Sequence, residues 1–495
     1  MVNPPQAPVQ VGCNGLHGMV VSPHTVASKA GQQILHQGGN AIDAAIALCA
    51  ALSVTYPHMN GLGGDGLWLI YKAATQQVHG LNGSGRSAAA LTAVADGPVL
   101  PQRGAAAAMT VPGAVDAWWQ AHQKMGRLPW AALLQPAIEL ARTGYPLSSS
   151  QCRWTRQDRA LLAQDSGAAT TFLPEGLAGD RTTNPALAHT LALIAKDGAD
   201  GFYRGPIARS IVEYVAPLGS PLTLDDFAHH RSDWVAPITT TYRGHTVYQL
   251  PPNTQGLAVL QMLNLIEPYD IASLDPVDYY HLMVEATKLA FCDRDRWVGD
   301  PSFTDIPMAH LSSKAYAHQL RPHLDMTHAS SGVHPAMGGD TIYAAVVDGQ
   351  GNAVSLLQSL YFDYGCGVAP PDLGFVLNNR GAIFFPDPAH VNGIAPRKRP
   401  MQTLIPALAL ANNRLRLVFG TMGGEGQPQT QVALLTRVLD LGLDIQTAVN
   451  LPRWRWGRTW GQPSARLALE GRIDSAIRQA LRQRGHTLQI EADWS

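Results

Sequence analysis

"GVHPAMGGDTIYAAVVDGQGNAVSLLQSLY", residues 332–361, joins an aperiodic run to two alternating β patterns at one threonine. "IYAAVVD" and "NAVSLLQSL" read as an antiparallel hairpin, because Asp348-Gly349-Gln350-Gly351-Asn352 between them supplies residues suited to a tight reversal. Centring that turn on Gln350 sets Ser359 opposite Thr341, within hydroxyl reach. Upstream, residues 321–340 ("RPHLDMTHASSGVHPAMGGD") are small, polar, Pro and Gly residues without a period, the composition of a mobile surface segment. Thr341 therefore has a loose, exposed peptide on its N-terminal side. Such a threonine can attack the preceding carbonyl, shift the acyl group from N to O, and release a new N-terminus when the ester is hydrolysed. The freed α-amine, with a pKa of about 7.7–8.0, then serves as its own base. Two hydroxyls facing across a hairpin are also a common structural pair, so both readings stand on these residues alone.

The rest of the chain narrows the setting. Its 495 residues allow two domains or one large layered domain. With 46% hydrophobic and 15% charged residues the chain can fill a large core, which excludes disorder. A net charge of −1 provides no field to gather nucleic acid or an anionic membrane, so the expected partner is a small molecule. Five scattered cysteines form no Cys-x-x-Cys pair, which fits a reducing compartment without zinc or a disulfide framework. The start, "MVNPPQAPVQVGCNGLHG", lacks the cationic and apolar regions of a secretory signal, and no uncharged apolar stretch is long enough to span a bilayer. The expected location is the cytoplasm.

Ser22-Pro23 reads as the cap and first position of a helix ending at Gly38-Gly39, and Asn40 as the cap of a second helix with Ile42, Ala45, Ile46 and Cys49 as its buried stripe. "AVDAWWQAHQKMG" and "DYYHLMVEATKLAFCDRDRW" read as helices. "LWLIY", "LIPALALANN" and "LRLVFGTM" read as strands, and Ile473–Arg484 as a closing helix. Strands and helices in these proportions predict a layered α+β or α/β domain. Gly61-Leu62-Gly63-Gly64-Asp65-Gly66 matches the dinucleotide fingerprint formally, but it follows a helix and opens a strand, so it reads as a tight turn. "PRWRWGRTW" (452–460) reads as a strand with stacked Arg–Trp pairs rather than a single-strand binder. No Gly-x-Ser-x-Gly, His-Glu-x-x-His or Walker motif occurs, and no histidines sit at metal-ligand spacing.

Over nearly its whole length the sequence resembles the γ-glutamyltranspeptidase family of N-terminal nucleophile hydrolases. The resemblance rests on "GGNAIDAAIA" (38–47), "GLGGDG" (61–66), "VPGAVDAW" (111–118), "EATKLAFCDRDRWVGDP" (285–301), "DTIYAAVVDGQGNAVS" (340–355), "LNNR" (377–380), "KRPMQTLIPALAL" (398–410) and "GTMGGEGQPQ" (420–429). It implies an α+β fold, a four-layer αββα sandwich, made as a precursor and cut between Asp340 and Thr341. Residues 1–340 would form a large subunit with a mobile tail at 321–340, and residues 341–495 a strand-rich small one. The two would stay together as a heterodimer, alone or as a dimer of heterodimers. It further implies Thr341 as nucleophile and base, Ser359 as its hydroxyl partner, and Gly423 and Gly424 as the backbone donors of an oxyanion hole. Arg86 falls where the family grips the substrate α-carboxylate, a role suited to a planar two-donor fork. No metal or organic cofactor is expected.

Departures from the family pattern bear on the substrate. Where the family binds the glutamate α-ammonium with an Asn, a Gln and an acid, this chain carries Tyr361, Arg380 and Ile383, and Gln402 and Thr403 replace the serine pair beside the carboxylate. A second guanidinium without the acid disfavours an ammonium. The expected substrate is a small amide bearing a carboxylate and no α-amino group. The similar cytoplasmic branch of oxamate amidohydrolases, of uric-acid and allantoin breakdown, makes oxamate the first choice, with oxalate and ammonia as products. The alternatives are a γ-glutamyl hydrolase or transpeptidase acting on glutathione, a cephalosporin-type acylase, and, outside enzymes, an uncut scaffold protein.

Overall fold

The computed structural model describes residues 12–91, 100–173, 176–331, 340–457 and 464–494. Two antiparallel sheets form its centre. The first runs in the order Gly18–Val21, Asp340–Asp348, Ala353–Tyr361, Asp65–Lys72, Gln77–Gly83, Asp233–Val235. The second runs Arg414–Phe419, Ala407–Ala411, His245–Gln249, Ile238–Tyr242. Alternation along the strands sends one set of side chains between the sheets and the other outward. Leu67, Leu69 and Leu357 meet Leu404, Leu408 and Leu410 between the sheets. Ile342, Ala344, Val346, Val354 and Leu356 face a helical layer that includes Ala41–Thr55, Ala114–Met125, Trp130–Thr143 and Pro185–Tyr203. Helices Gly256–Ile266, Pro276–Trp297 and Gly426–Leu439 cover the far side of the second sheet. The result is the αββα sandwich expected from the sequence.

The hairpin forms as its turn chemistry requires. Asp348 Oδ1 accepts from the backbone N–H groups of Gln350 and Asn352 at 2.9 and 3.0 Å, and Gly351 takes φ +81°. The register centred on Gln350 holds from Ala353↔Val347 to Gln358↔Ile342, after which a bulge moves the pairing to Tyr361↔Asp340. The bulge lies at Ser359 and Leu360, opposite Thr341.

Several local expectations need correction. The first helix is Thr25–His36 with His24 at its cap, because the Ser22 hydroxyl is engaged by the His24 carbonyl and Ser28 instead. Asn40 does cap the second helix, in a reciprocal box with Asp43, yet all fifteen residues of Ala41–Thr55 are buried. It is a core helix packed between neighbours, and the apolar stripe understates it. The closing helix is Ser475–Gln483, capped by Asp474. Trp454 and Trp456 sit in the core on the strand Trp454–Trp456, while the Arg453 guanidinium goes to Glu470 at 3.0 Å, and residues 458–460 lie outside the described residues. All five cysteines are unpaired thiols. No helix among the described residues is long and apolar enough to cross a membrane.

Residues 325–330, within the segment read as mobile, are held in place. Ser330 N and Oγ donate to Glu285 Oε2 at 3.1 and 2.5 Å, Lys288 Nζ donates to Ser330 O at 2.7 Å, and Ala329 N donates to Arg484 O at 2.7 Å. Residues 332–339, including Gly338 and Gly339, lie outside the described residues.

Candidate active site

Three neighbouring strands each bring one polar residue to the same level. Thr341 opens the strand Asp340–Asp348, Ser359 ends the regular part of Ala353–Tyr361, and Asp65, paired with Ser359, begins Asp65–Lys72. By alternation Thr341 shares its face with Tyr343, which packs between the sheets. Thr341 Oγ1 donates to Ser359 Oγ at 3.2 Å. The pair read from hairpin register is thus in contact, and Thr341 itself has no exposed surface; the peptide expected to be loose on its N-terminal side, residues 332–339, lies outside the described residues.

The bulge shapes Ser359. Tyr361 takes φ +83°, a left-handed conformation costly for a side chain of its size, and in it the Tyr361 N–H donates to Ser359 Oγ at 2.9 Å. Arg380 supplies a further donor, Nη2, at 3.2 Å from the same oxygen, and its Nη1 donates to Thr403 Oγ1 at 3.2 Å. The Arg380 guanidinium stacks over the Tyr361 ring, 4.5 Å from its centre. Asn378 positions the arginine: its Oδ1 accepts the Arg380 N–H at 3.0 Å, while its Nδ2 donates to Gly63 O at 2.8 Å.

Asp65 is the anion beneath this arginine, at 3.9 Å from Arg380 Nε, and neither side chain is exposed. Burial pushes the Asp65 carboxyl up, opposed by Arg380 and by hydrogen bonds from Gly85 and Gln402. Burial likewise lowers Arg380 to about 10, which leaves it charged at neutral pH. Gln402 Nε2 donates to Asp65 Oδ2 at 2.6 Å, and Gly85 N to Oδ1 at 2.9 Å. Ile383 is buried among Leu257, Val298, Tyr361 and Met401. This apolar cluster offers an ammonium no counter-charge.

Arg86 follows Gly85 and is a third exposed at its side chain; its Nη2 pairs with Asp233 Oδ2 at 3.2 Å. Arg399 bonds the same carboxylate oxygen. Burial pushes the Asp233 carboxyl up, but the two guanidiniums outweigh it and hold it below its usual value. Gly423 and Gly424 take φ +106° and +50° just before helix Gly426–Leu439, so both need glycine's freedom. The Gly426 N–H donates to Gly423 O at 2.8 Å, which turns the Gly424 N–H of that peptide away from the helix. Gln255 Nε2 bonds both Gly424 O and Thr403 O at 2.9 Å, tying this turn to the Arg380 group. Buried Arg294 braces it through Glu425 Oε1 at 2.9 Å and Gln255 Oε1 at 3.3 Å.

Thr341, Ser359, Tyr361, Arg380 and Thr403 are therefore in direct contact, with Gln402 joined through Asp65 and the glycine turn through Gln255. Asp65, Asp233, Gln255, Arg294 and Arg399 were missed in the sequence. Asp65, Arg294 and Arg399 stood inside quoted motifs, and an acid opening an apolar strand was the available signal for Asp65. The glycine run 61–66 is a tight turn, as read: a Cβ on Gly63 would meet Val376 O at 2.1 Å, and one on Gly64 would meet Ser359 O at 2.4 Å. Elsewhere His281, Glu285 and His486 bring metal-type donor atoms within 4.8 Å of one another. These donors are engaged with each other and with neighbours: His281 Nδ1 meets His486 Nε2 at 2.8 Å, His281 Nε2 meets Asp325 O at 2.7 Å, and Glu285 Oε1 holds Lys288 Nζ at 2.6 Å.

Two stacked sheets between helical layers, with a hydroxyl pair where a central strand begins, have the architecture of an N-terminal nucleophile hydrolase. Comparison with known proteins agrees. The family profile described as Gamma-glutamyltranspeptidase matches residues 27–495. The glutathione hydrolase-like YwrD proenzyme of Bacillus subtilis (strain 168) is 46% identical over 97% of this chain and 93% of its own. The oxamate amidohydrolase proenzyme of Klebsiella pneumoniae is 42% identical over 97% of this chain and 92% of its own. The crystal structure of cephalosporin acylase from Bacillus halodurans superimposes with a TM-score of 0.91 at 37% identity, over 100% of this chain and 93% of that one. The chain belongs to the γ-glutamyltranspeptidase family. It is an N-terminal nucleophile hydrolase proenzyme of the amidohydrolase class.

Proposed function

We propose that the protein cuts itself between Asp340 and Thr341 and then hydrolyses a small amide that carries a carboxylate and no α-amino group, with oxamate, giving oxalate and ammonia, as the first choice. The observation that carries this reading is Arg380: a buried guanidinium stands where an ammonium-binding group belongs in the family, and Ile383 beside it lies in an apolar cluster. Desolvating an ammonium there, with no acid at residue 383 to compensate it, is strongly unfavourable. The oxamate amidohydrolase named among the relatives adds support.

In the precursor, Thr341 Oγ attacks the Asp340 carbonyl, the acyl group passes from nitrogen to oxygen, and water hydrolyses the ester. Residues 1–340 and 341–495 then form a cytoplasmic heterodimer. Strands from both parts interleave in the first sheet and pair side by side in the second, which favours their staying together. In turnover the Thr341 amine takes the hydroxyl proton, and Oγ attacks the substrate carbonyl. Once Thr341 has lost its proton, the Ser359 O–H can turn to donate to it, since Tyr361 N and Arg380 Nη2 both donate to Ser359 Oγ. The Gly423 and Gly424 N–H groups receive the developing oxyanion. Ammonia leaves, an acyl ester remains on Thr341, and water activated by the same amine releases the acid. Arg86 grips the carboxylate, because the Asp233 it touches is shared with Arg399 and neutralises only one of the two cations. Arg380, Tyr361, Gln402 and Thr403 shape the remainder of the pocket.

Ammonia release from oxamate, set against anilide release from a γ-glutamyl chromogen, tests the reading. Preference for oxamate by 100-fold or more in kcat/KM is expected. A preference for the glutamyl compound would overturn it and favour the glutathione-hydrolase reading, which the 46% identical relative supports.

A further inference from the structure

Asp65 belongs to neither the catalytic nor the binding set above, yet it touches three parts of it. Oδ1 accepts from Gly85 N at 2.9 Å, one residue before Arg86. Oδ2 accepts from Gln402 Nε2 at 2.6 Å and lies 3.9 Å from Arg380 Nε. Arg380 stays charged at any working pH, so burying it without an anion would leave an uncompensated charge in the sandwich. Asp65 supplies that anion, but it uses its hydrogen-bonding capacity on Gln402 and Gly85. Arg380 Nε and Gln402 Oε1, both fully buried, have no hydrogen-bond partner among the described residues. The arginine is thus neutralised without being locked to its counter-ion.

We propose that Asp65 is a positioning residue that sets how much negative charge the site accepts: by balancing Arg380, it restricts the site to one carboxylate, the one held by Arg86. This rests on the reading above and extends it to release. Hydrolysis turns a neutral amide into a carboxylate, so the product carries one negative charge more than the substrate. A site balanced for a monoanion binds the dianionic product poorly and lets it go. With Asp65 neutral, Arg380 would hold the second carboxylate, and product would accumulate on the enzyme.

The test uses the processed enzyme and its Asp65→Asn variant, with propionate as the monoanionic probe and oxalate as the dianionic one, each titrated by calorimetry. The ratio of oxalate to propionate affinity is expected to rise at least tenfold in Asp65→Asn, and Asp65→Glu should return it toward the wild-type value. A ratio unchanged within twofold, whatever happens to activity, would overturn the proposal, because a purely structural role weakens both probes alike. If Asp65→Asn does not fold, Asp65→Asn/Arg380→Gln decides: with both charges removed the folded chain should show an oxalate-to-propionate ratio within about threefold of the wild-type value, and a tenfold rise would overturn the proposal. Failure of the double variant to fold would also overturn it. The affinity ratio needs no turnover of oxamate, so an enzyme inactive on oxamate that still shows the shift would sink the substrate reading alone.

Discussion

The hydroxyl of Ser359 is the smallest feature on which the account depends. It accepts from the Tyr361 backbone, from Arg380 and from Thr341 Oγ1. A hydrogen bond to a charged or charging group contributes about 1.5–3 kcal/mol. Ser359→Ala should therefore slow both self-cleavage and turnover by roughly 10- to 100-fold, read as band conversion on a denaturing gel and as kcat on the processed fraction. In the proposed function, substrate choice at this scale follows from Arg380 and Ile383. Arg380→Gln with Ile383→Asp removes a cation and adds an acid next to it, and should raise kcat/KM for a γ-glutamyl anilide by at least tenfold. No gain would show that the ammonium is excluded by something other than charge. The free α-amine should also set the acid limb of activity. With a pKa of about 7.7–8.0 it is protonated below neutrality, so kcat should fall about tenfold per unit well below that value.

At the scale of elements, the glycine turn 61–66 supports the bulge from behind. Gly64→Ala would drive a Cβ to 2.4 Å from Ser359 O, whereas a Cβ on Gly61 would have nothing within 4 Å. Gly64→Ala should cost roughly 1–3 kcal/mol of stability and stop cleavage, while Gly61→Ala should be processed like the parent. Equal behaviour of the two variants in a cleavage time course would contradict this. The same region shows what was legible in the sequence. Turn residues at 348–352 and strict alternation determined the hairpin register, and so the Thr341–Ser359 contact, because both are local properties. The bulge was not legible, since the left-handed Tyr361 goes against its own propensity and accompanies contacts to Ser359 and to Arg380, nineteen residues away. Asp65, Gln255 and Arg294 escaped notice for a related reason: their partners lie 20 to 337 residues away in the chain. The buried helix Ala41–Thr55 read as amphipathic because a periodic stripe cannot reveal that a second layer covers the opposite face.

For the molecule as a whole, three buried neutral histidines set an acid limit. His58 and His486 are lowered to about 3, each mainly by burial, and His230, stacked on Tyr203 among Arg86, Arg231 and Arg399, lies well below its ordinary value for the same reason. The unfolded chain takes up these protons near pH 6.5, while the folded chain stays neutral. Stability is therefore complete above about pH 6.5 and is lost as pH falls toward 3, by up to about 2 kcal/mol per histidine at pH 5. His486 also contacts His281, so His486→Gln should flatten the pH dependence of Tm between pH 6.5 and 5. An unchanged slope would assign the acid sensitivity elsewhere. Seam contacts such as Ala329–Arg484 and His281–His486 join residues on either side of the proposed cut, and with both sheets shared the two fragments should unfold together in acid. The central claim, that Thr341 becomes a chain terminus and attacks through its own side chain, is tested most directly by intact mass of the active protein quenched during amide turnover. The account predicts two fragments, the smaller beginning at Thr341 and carrying a transient acyl group there, with Thr341→Ala remaining one 53.1 kDa chain. An uncut, unmodified chain that turns over the amide at the full rate would contradict it.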